Sequence, residues 1–229
     1  MTSLRVYALP VLAMTIIVMG ANIAVQFPLA GTAGPLVLAD VLTWGAFVYP
    51  FAFVVTDINN RLFGPVMARR VVYLGFLLAI VSSIVVPPVL HSYGWLEYET
   101  TGARLLRVAL ASGFAFLVAQ LMDIVVFNRL RQLSWWKAPL ASGVVGSAID
   151  TAVFFSVAFA TLFVFLGPNE PFALDAAPLF GILQGTEAPR WISWALGDFV
   201  VKLMIALFGL VPYRLIVGAF IPVREPVRT

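Results

Sequence analysis

Apolar runs long enough to cross a bilayer occur at 6–28, 36–58, 71–90, 107–127, 140–166 and 190–212, separated by breaks that carry Pro, Gly and charge. A helix rises about 1.5 Å per residue, so the hydrocarbon core needs about 20 apolar residues, and each run predicts one transmembrane helix. The number of runs is even, which puts both termini on one side. Pro87 and Pro88 are expected to end the third helix, since neither can donate a backbone hydrogen bond, and Pro139 suits the first turn of the fifth. The apolar stretch after Arg5 reaches Leu29, longer than the roughly 7 to 15 residues of a signal-peptide core, and no small-residue cleavage site follows it. It is read as a retained first helix.

Composition makes lipid the solvent. Of 229 residues, 62% are hydrophobic and 11% charged, and the mean hydropathy is +1.00, outside the range of a water-soluble domain. The expected fold is an all-α membrane protein, a bundle of six transmembrane helices forming one integral domain over 1–229, with no room for an ATPase or receptor domain. The net charge of +3 points to topology and not to a nucleic-acid partner, because the basic residues lie in short clusters between apolar runs.

Those clusters orient the bundle. With the N-terminus inside, the cytoplasmic set is Arg5, Arg61, Arg69, Arg70, Arg129, Arg131, Lys137, Arg214, Arg224 and Arg228, against Arg104, Arg107 and Arg190 outside. Both termini are therefore expected in the cytoplasm. Glu97, Glu99, Glu170, Asp175 and Glu187 fall in the two long external connections, and Trp95, Trp135, Trp136 and Trp191 sit near predicted helix ends, where an amphipathic ring suits the headgroup level. Ala111, Ala115 and Ala119 form a small-residue stripe on the fourth helix, as do Gly143 and Ser147 on the fifth. Such stripes pack against other helices of the chain or form a homodimer contact.

With no Cys and a single His, His91, thiolate and zinc sites are not expected, and neither a metal nor another cofactor is predicted. His91 reads as an interfacial residue near a helix end. No Ser–Lys or His–Asp pairing suggests an intramembrane enzyme.

Asp40, Asp57, Asp123, Asp150 and Asp198 remain inside predicted spans with Gln120 and Lys202. A carboxylate at a helix centre costs about 2.5 to 3.5 kcal/mol on insertion scales, so it faces a partner, the bundle interior or a wet cavity. Asp150 and Asp198 approach the midplane. Asp57 and Asp123 lie nearer the cytoplasmic helix ends, where hydration is easier, and Asp40 is read as interfacial. Helical spacing groups Gln120, Asp123 and Phe127 on one face, Asp150 and Phe154 on a second, and Trp194, Asp198 and Lys202 on a third. The structural alternative is an internal Asp198–Lys202 ion pair plus polar bonds that merely hold helices together. The functional one is a pocket for a planar heterocycle: a carboxylate can accept two parallel bonds from a guanine-like edge while aromatic faces hold the ring plane.

At these residues the sequence resembles the queuosine precursor transporter family, also described as a vitamin uptake transporter family. The matching segments are FVVTDINNRLFG (Phe53 to Gly64), AQLMDIVVFNRL (Ala119 to Leu130), GSAIDTAVFFSVAF (Gly146 to Phe159) and LGDFVVKLMIALFGLVPYR (Leu196 to Arg214), in the family's order. The resemblance implies import of 7-deazaguanine precursors, such as the 7-cyano or 7-aminomethyl compounds, across the bacterial inner membrane. On that reading Gln120, Asp123, Phe127, Asp150, Phe154, Trp194, Asp198 and Lys202 line the substrate site, and Asp57, Asn60 and Arg61 form an inner gate or coupling element. Ser147 stands where many relatives carry Gln. The six-helix outline is also similar to the substrate-binding subunits of energy-coupling-factor transporters. Those carry an Ala-x-x-x-Ala pattern in the first helix, however, and no two Ala residues within 6–28 are four apart here. A stand-alone transporter is preferred.

Overall fold

The structure, a computed structural model, describes residues 3–96 and 102–220. Glu97, Glu99, Arg224 and Arg228 lie outside the described residues, as does the side chain of Arg5. Nine α-helices are described: α1 (Ser3–Ala24), α2 (Gly45–Val48), α3 (Phe51–Phe63), α4 (Pro65–Ser92), α5 (Gly102–Leu130), α6 (Lys137–Phe159), α7 (Pro171–Leu174), α8 (Arg190–Phe208) and α9 (Leu210–Phe220). Two antiparallel hairpins accompany them, β1 (Thr32–Ala33) with β2 (Leu36–Val37) and β3 (Ala176–Leu179) with β4 (Leu183–Pro189).

Among the described residues, four helical stretches are long and apolar enough to cross a membrane: Pro65–Ser92, Gly102–Leu130, Lys137–Phe159 and Arg190–Ala219, the last joining α8 to α9. The apolar part of α1, Ala8–Ala24, is shorter. Large apolar side chains such as Leu77, Val81, Phe114, Val200 and Leu207 are exposed along these helices, as expected where lipid tails take the place of water. The chain is a multi-pass helical membrane protein.

The second predicted span is corrected. Residues 36–58 are not one helix: β2, a 3-10 turn (Leu38–Asp40) and the four-residue α2 precede α3, which has 13 residues. The apolar run is broken because Pro50 cannot continue the hydrogen-bond ladder. The chain also folds back on itself there, with Trp44 N–H donating to the Phe27 carbonyl and Leu29 N–H to that of Leu42. Gly197 on α8 lets this segment dock, since a β-carbon there would lie 2.9 Å from the Val41 carbonyl oxygen. The α3–α4 corner is as short as a corner can be. Gly64 adopts φ +84°, a conformation open to glycine, and Pro65 opens α4 with its fixed φ.

Pro87 and Pro88 do not end the third predicted helix either. α4 runs through them to Ser92, held by Val86 and Leu90 packing with Leu96, Met19 and Phe27, and prolines are tolerated in membrane helices whose neighbours support the backbone. Pro139 does fall in the first turn of α6. The fifth predicted run divides at Ala160 into α6 and a 3-10 turn, Thr161–Leu166.

Contacts give the helix directions. Met14 and Asn22 of α1 neighbour Gly75 and Ser83 of α4, so these two helices run parallel. Gly75 also faces Phe116 of α5, and Arg107 of α5 reaches Val157 of α6, so α4, α5 and α6 alternate in direction. Thr151 and Gly143 of α6 face Asp198 and Ala206 of α8, which therefore returns antiparallel to α6. The start of α1, the α3–α4 corner, the α5–α6 connection and α9 thus gather at one end, which carries Arg61, Arg69, Arg70, Arg129, Arg131, Lys137 and Arg214. The Ala111, Ala115 and Ala119 stripe is buried within the chain.

Arg104 and Arg107 were expected as external connection charges, yet both are buried inside α5. Arg107, 0% exposed, donates to the carbonyls of Val157, Ala160, Gly167 and Pro168 and to Asn169 Oδ1, while Arg104 donates to the Ala158 carbonyl. Two guanidinium groups thereby satisfy the carbonyls left open at the end of α6, where positive charge also suits the helix dipole.

Candidate functional site

α8 carries Asp198 and Lys202 one turn apart, and α6 presents Asp150 and Thr151 to the same point. The Lys202 ammonium contacts Asp150 Oδ2 at 2.6 Å, Asp198 Oδ2 at 2.5 Å and Thr151 Oγ1 at 3.2 Å, which uses all three of its donors. Tyr49, on the turn between α2 and α3, donates its hydroxyl to Asp150 Oδ1 at 2.9 Å, and Thr151 donates to Asp198 Oδ2 at 2.8 Å. Asp198 Oδ1 accepts no bond among the described residues, and this side chain is 14% exposed, the most open of the three charged groups.

The internal Asp198–Lys202 pair of the structural alternative is thus present, but Asp150 joins it. Two carboxylates on one ammonium leave a net negative charge in the middle of the bundle.

Aromatic rings flank this cluster. Tyr49 makes edge contacts with Phe53 and Phe116, and Lys202 Nζ lies 5.3 Å from the Tyr49 ring centre. Away from the basic end, Phe154, Phe155, Phe159 and Trp194 form a continuous group, with the Phe159–Trp194 centroids 5.4 Å apart. Arg104 lies over Phe159 and Arg190 over Phe172, which also meets Trp194. Trp194 donates its indole N–H to the Asp40 carbonyl, which ties α8 to the folded-back segment. Asp40 itself sits at this end of the bundle, opposite the basic one.

A cleft of about 20 Å³ opens beside Lys202 and extends to Asp57, lined also by Phe53, Gly143, Ser147 and Tyr213. That holds about one water and no bicyclic ring.

The remaining sequence-predicted residues meet elsewhere. Asp57 and Asp123 face each other across the α3–α5 seam, and Ser142 of α6 donates to Asp57 Oδ1 at 3.1 Å. Their expected hydration at the helix ends is not found, since Asp57 is 3% and Asp123 0% exposed. Both helices are covered there by α6 and α9. Neither oxygen of Asp123 nor either polar atom of Gln120 has a partner among the described residues. Phe127 packs on Tyr213, away from Lys202. Asn60 accepts from Asn128, Arg131 donates to Asn128 Oδ1, and Arg61 donates to the Arg131 carbonyl, which makes a polar strap across the basic end.

Sequence reasoning missed Tyr49, Thr151, Ser142 and Asn128. Asn128 is visible within the matching segment Ala119 to Leu130, and Thr151 stands beside Asp150. Tyr49 and Ser142 carry no local signal, because each acts on a residue of a different helix.

Comparison with known proteins identifies the family. The family described as "Putative vitamin uptake transporter" matches residues 43–217. "Probable queuosine precursor transporter" of Haemophilus influenzae is 34% identical over 174 residues, 74% of this chain and 66% of that protein. "Queuosine precursor transporter" of Escherichia coli is 31% identical over 201 residues, 86% and 79% respectively. A Bacillus subtilis relative, also named "Probable queuosine precursor transporter", is 26% identical over 191 residues. The chain spans just under two thirds of the Haemophilus protein's length. No solved structure matches it. Every segment of the Lys202 cluster, from Tyr49 to Asp198, lies within the matched region, and the chain belongs to the vitamin uptake transporter family, which is that of the queuosine precursor transporters.

Proposed function

We propose that the protein imports queuosine precursors, 7-cyano-7-deazaguanine or 7-aminomethyl-7-deazaguanine, across the bacterial inner membrane as a stand-alone carrier. The observation that carries this reading is the convergence of Asp150 and Asp198 on Lys202, which itself lines a cleft, beside aromatic rings. Such a cluster has no use as lipid-facing structure, and its unfilled acceptor, Asp198 Oδ1, suits the ring N–H and exocyclic amine of a guanine-like edge. Phe154, Phe159 and Trp194 supply faces for the ring plane. The net negative charge favours a cationic side arm, which gives the aminomethyl compound an added contact.

The basic end is taken as cytoplasmic from the excess of Lys and Arg there. Asp57, Asn60 and Arg61, tied to Ser142, Asn128 and Arg131, then form the inner gate. Opening it would widen the cleft toward the cytoplasm, and parting the Phe172–Trp194–Phe159 group would admit substrate from outside. A coupling-subunit partner gains no support from α1. Its exposed face carries Leu9, Leu12 and Ile16, bulky residues suited to lipid and not to close helix contact.

Uptake of labelled 7-cyano-7-deazaguanine in cells unable to make it provides the test. Asp150→Asn and Asp198→Asn should abolish accumulation while the protein remains in the membrane. Unchanged uptake in both variants would remove the cluster from the mechanism. Uptake that needs a co-purifying ATPase would move the protein to the binding-subunit class.

A further inference from the structure

Four carboxylates, those of Asp57, Asp123, Asp150 and Asp198, are buried or nearly so in the bundle with one ammonium, that of Lys202. Lys202 is committed to Asp150, Asp198 and Thr151 and has no donor left. No ion pair between described residues includes Asp57 or Asp123. The nearby cations are turned elsewhere: Arg61 to the Arg131 carbonyl and Arg131 to Asn128. Tyr213 of α9, which feels Arg61, Arg131 and Asp57, has an unpartnered hydroxyl. From α6 the Ser142 hydroxyl donates to Asp57 Oδ1.

Two facing carboxylates cannot both stay ionised, dry and uncompensated. Neither oxygen of Asp123 has a hydrogen-bond donor, and Gln120 Oε1, one turn before it on the same face of α5, is also buried without a partner. A hard oxygen set of this kind takes a proton or a small cation that accepts carboxylate, hydroxyl and amide ligands.

We infer that the α3–α5–α6 seam is a monovalent-cation site, in which Asp57 and Asp123, with Ser142 and Gln120, jointly hold one proton or one sodium ion. The segment 49–60 touches both this site and the Lys202 cluster, through Tyr49 to Asp150 and Asp57 to Asp123. Occupancy of the seam therefore bears on the position of the substrate-facing carboxylate. Coupling of the ion to transport rests on the proposed function, whereas binding of the ion does not.

Thermal unfolding of the detergent-purified, substrate-free protein separates the two. Midpoints are measured in NaCl against choline chloride at fixed ionic strength and pH, and in choline chloride across a pH series. For a sodium site, the ion at about ten times its Kd raises the midpoint by roughly 3 °C. For a proton site, stability falls as pH rises, because the folded chain holds a proton that the unfolded chain releases. Asp123→Asn should remove whichever dependence is found. Asp57→Asn, made in parallel, serves if the first variant is not recovered folded, and Asp198→Asn should keep the dependence. An identical response to sodium and pH in wild type, Asp123→Asn and Asp57→Asn would overturn the site. A cation response without deazaguanine uptake would leave the site standing and remove the proposed substrate. Uptake without a cation response would do the reverse.

Discussion

The α6–α8 interface and the α3–α5 seam each bury a pair of aspartates, and they answer the cost of burial in opposite ways. At the first, Lys202 sits between Asp150 and Asp198 and every donor is engaged. At the second, Asp57 and Asp123 face one another with a serine hydroxyl as their nearest described donor. Identical residue types, buried in both places, therefore have different chemistry, and what separates them is whether a cation is built into the protein or has to arrive. A built-in cation makes a permanent polar site able to receive a substrate. A missing one makes a site whose occupancy can change.

The largest test of this contrast removes the resident cation. Lys202→Met strands two buried carboxylates, and loss of one partner from a buried ion pair costs about 3 to 5 kcal/mol. Folded protein recovered by size exclusion in detergent should fall sharply. The combination Asp150→Asn, Asp198→Asn and Lys202→Met should restore recovery without restoring uptake, since the charges go together. Recovery that stays low in the triple variant would mean that Lys202 matters for packing more than for charge.

Tyr49→Phe comes next. It deletes a hydrogen bond to a carboxylate, worth about 1.5 to 3 kcal/mol, and should lower the unfolding midpoint and weaken substrate binding in titration. Asn128→Ala cuts the strap between α3 and α5 at the basic end and should cost about 0.5 to 1.5 kcal/mol. Its sharper readout is faster proteolysis or amide exchange at the end of α3. The smallest effect is expected at the seam itself. Asp123→Asn removes a carboxylate with no built-in counter-charge, so stability should change by less than about 1 kcal/mol or rise. A loss as large as that of Lys202→Met would erase the distinction between the two regions.

Much of this was legible from residues alone. Asp150, Asp198 and Lys202 were marked by depth and by four-residue spacing, and the structure brings all three to one point. Phe154 and Trp194 were placed on the faces where the aromatic group is found. Grouping Gln120, Asp123 and Phe127 with that site was not supported by the geometry, because helical spacing identifies a face but not the helix it meets. The second span failed for a related reason. Hydropathy over 36–58 is that of a membrane helix, but Pro50 and the docking of Val41 against Gly197 divert the backbone into a hairpin and two short helices. Arg104 and Arg107 were mistaken for loop charges because nothing near them in sequence announces the six carbonyl and amide oxygens they meet on α6 and beyond.

Solvent, helix order, the gathering of basic residues at one end and the family were determined by the sequence by itself, because each depends on composition, on neighbours within a turn, or on motifs read in order. Tertiary structure alone decided which carboxylates are neutralised. Tyr49 and Asp150 are 101 positions apart, and their contact exists only because the α2–α3 turn and α6 are packed so as to present those side chains to each other. Helix rotation is set by packing summed over the whole bundle, a quantity that no local pattern contains.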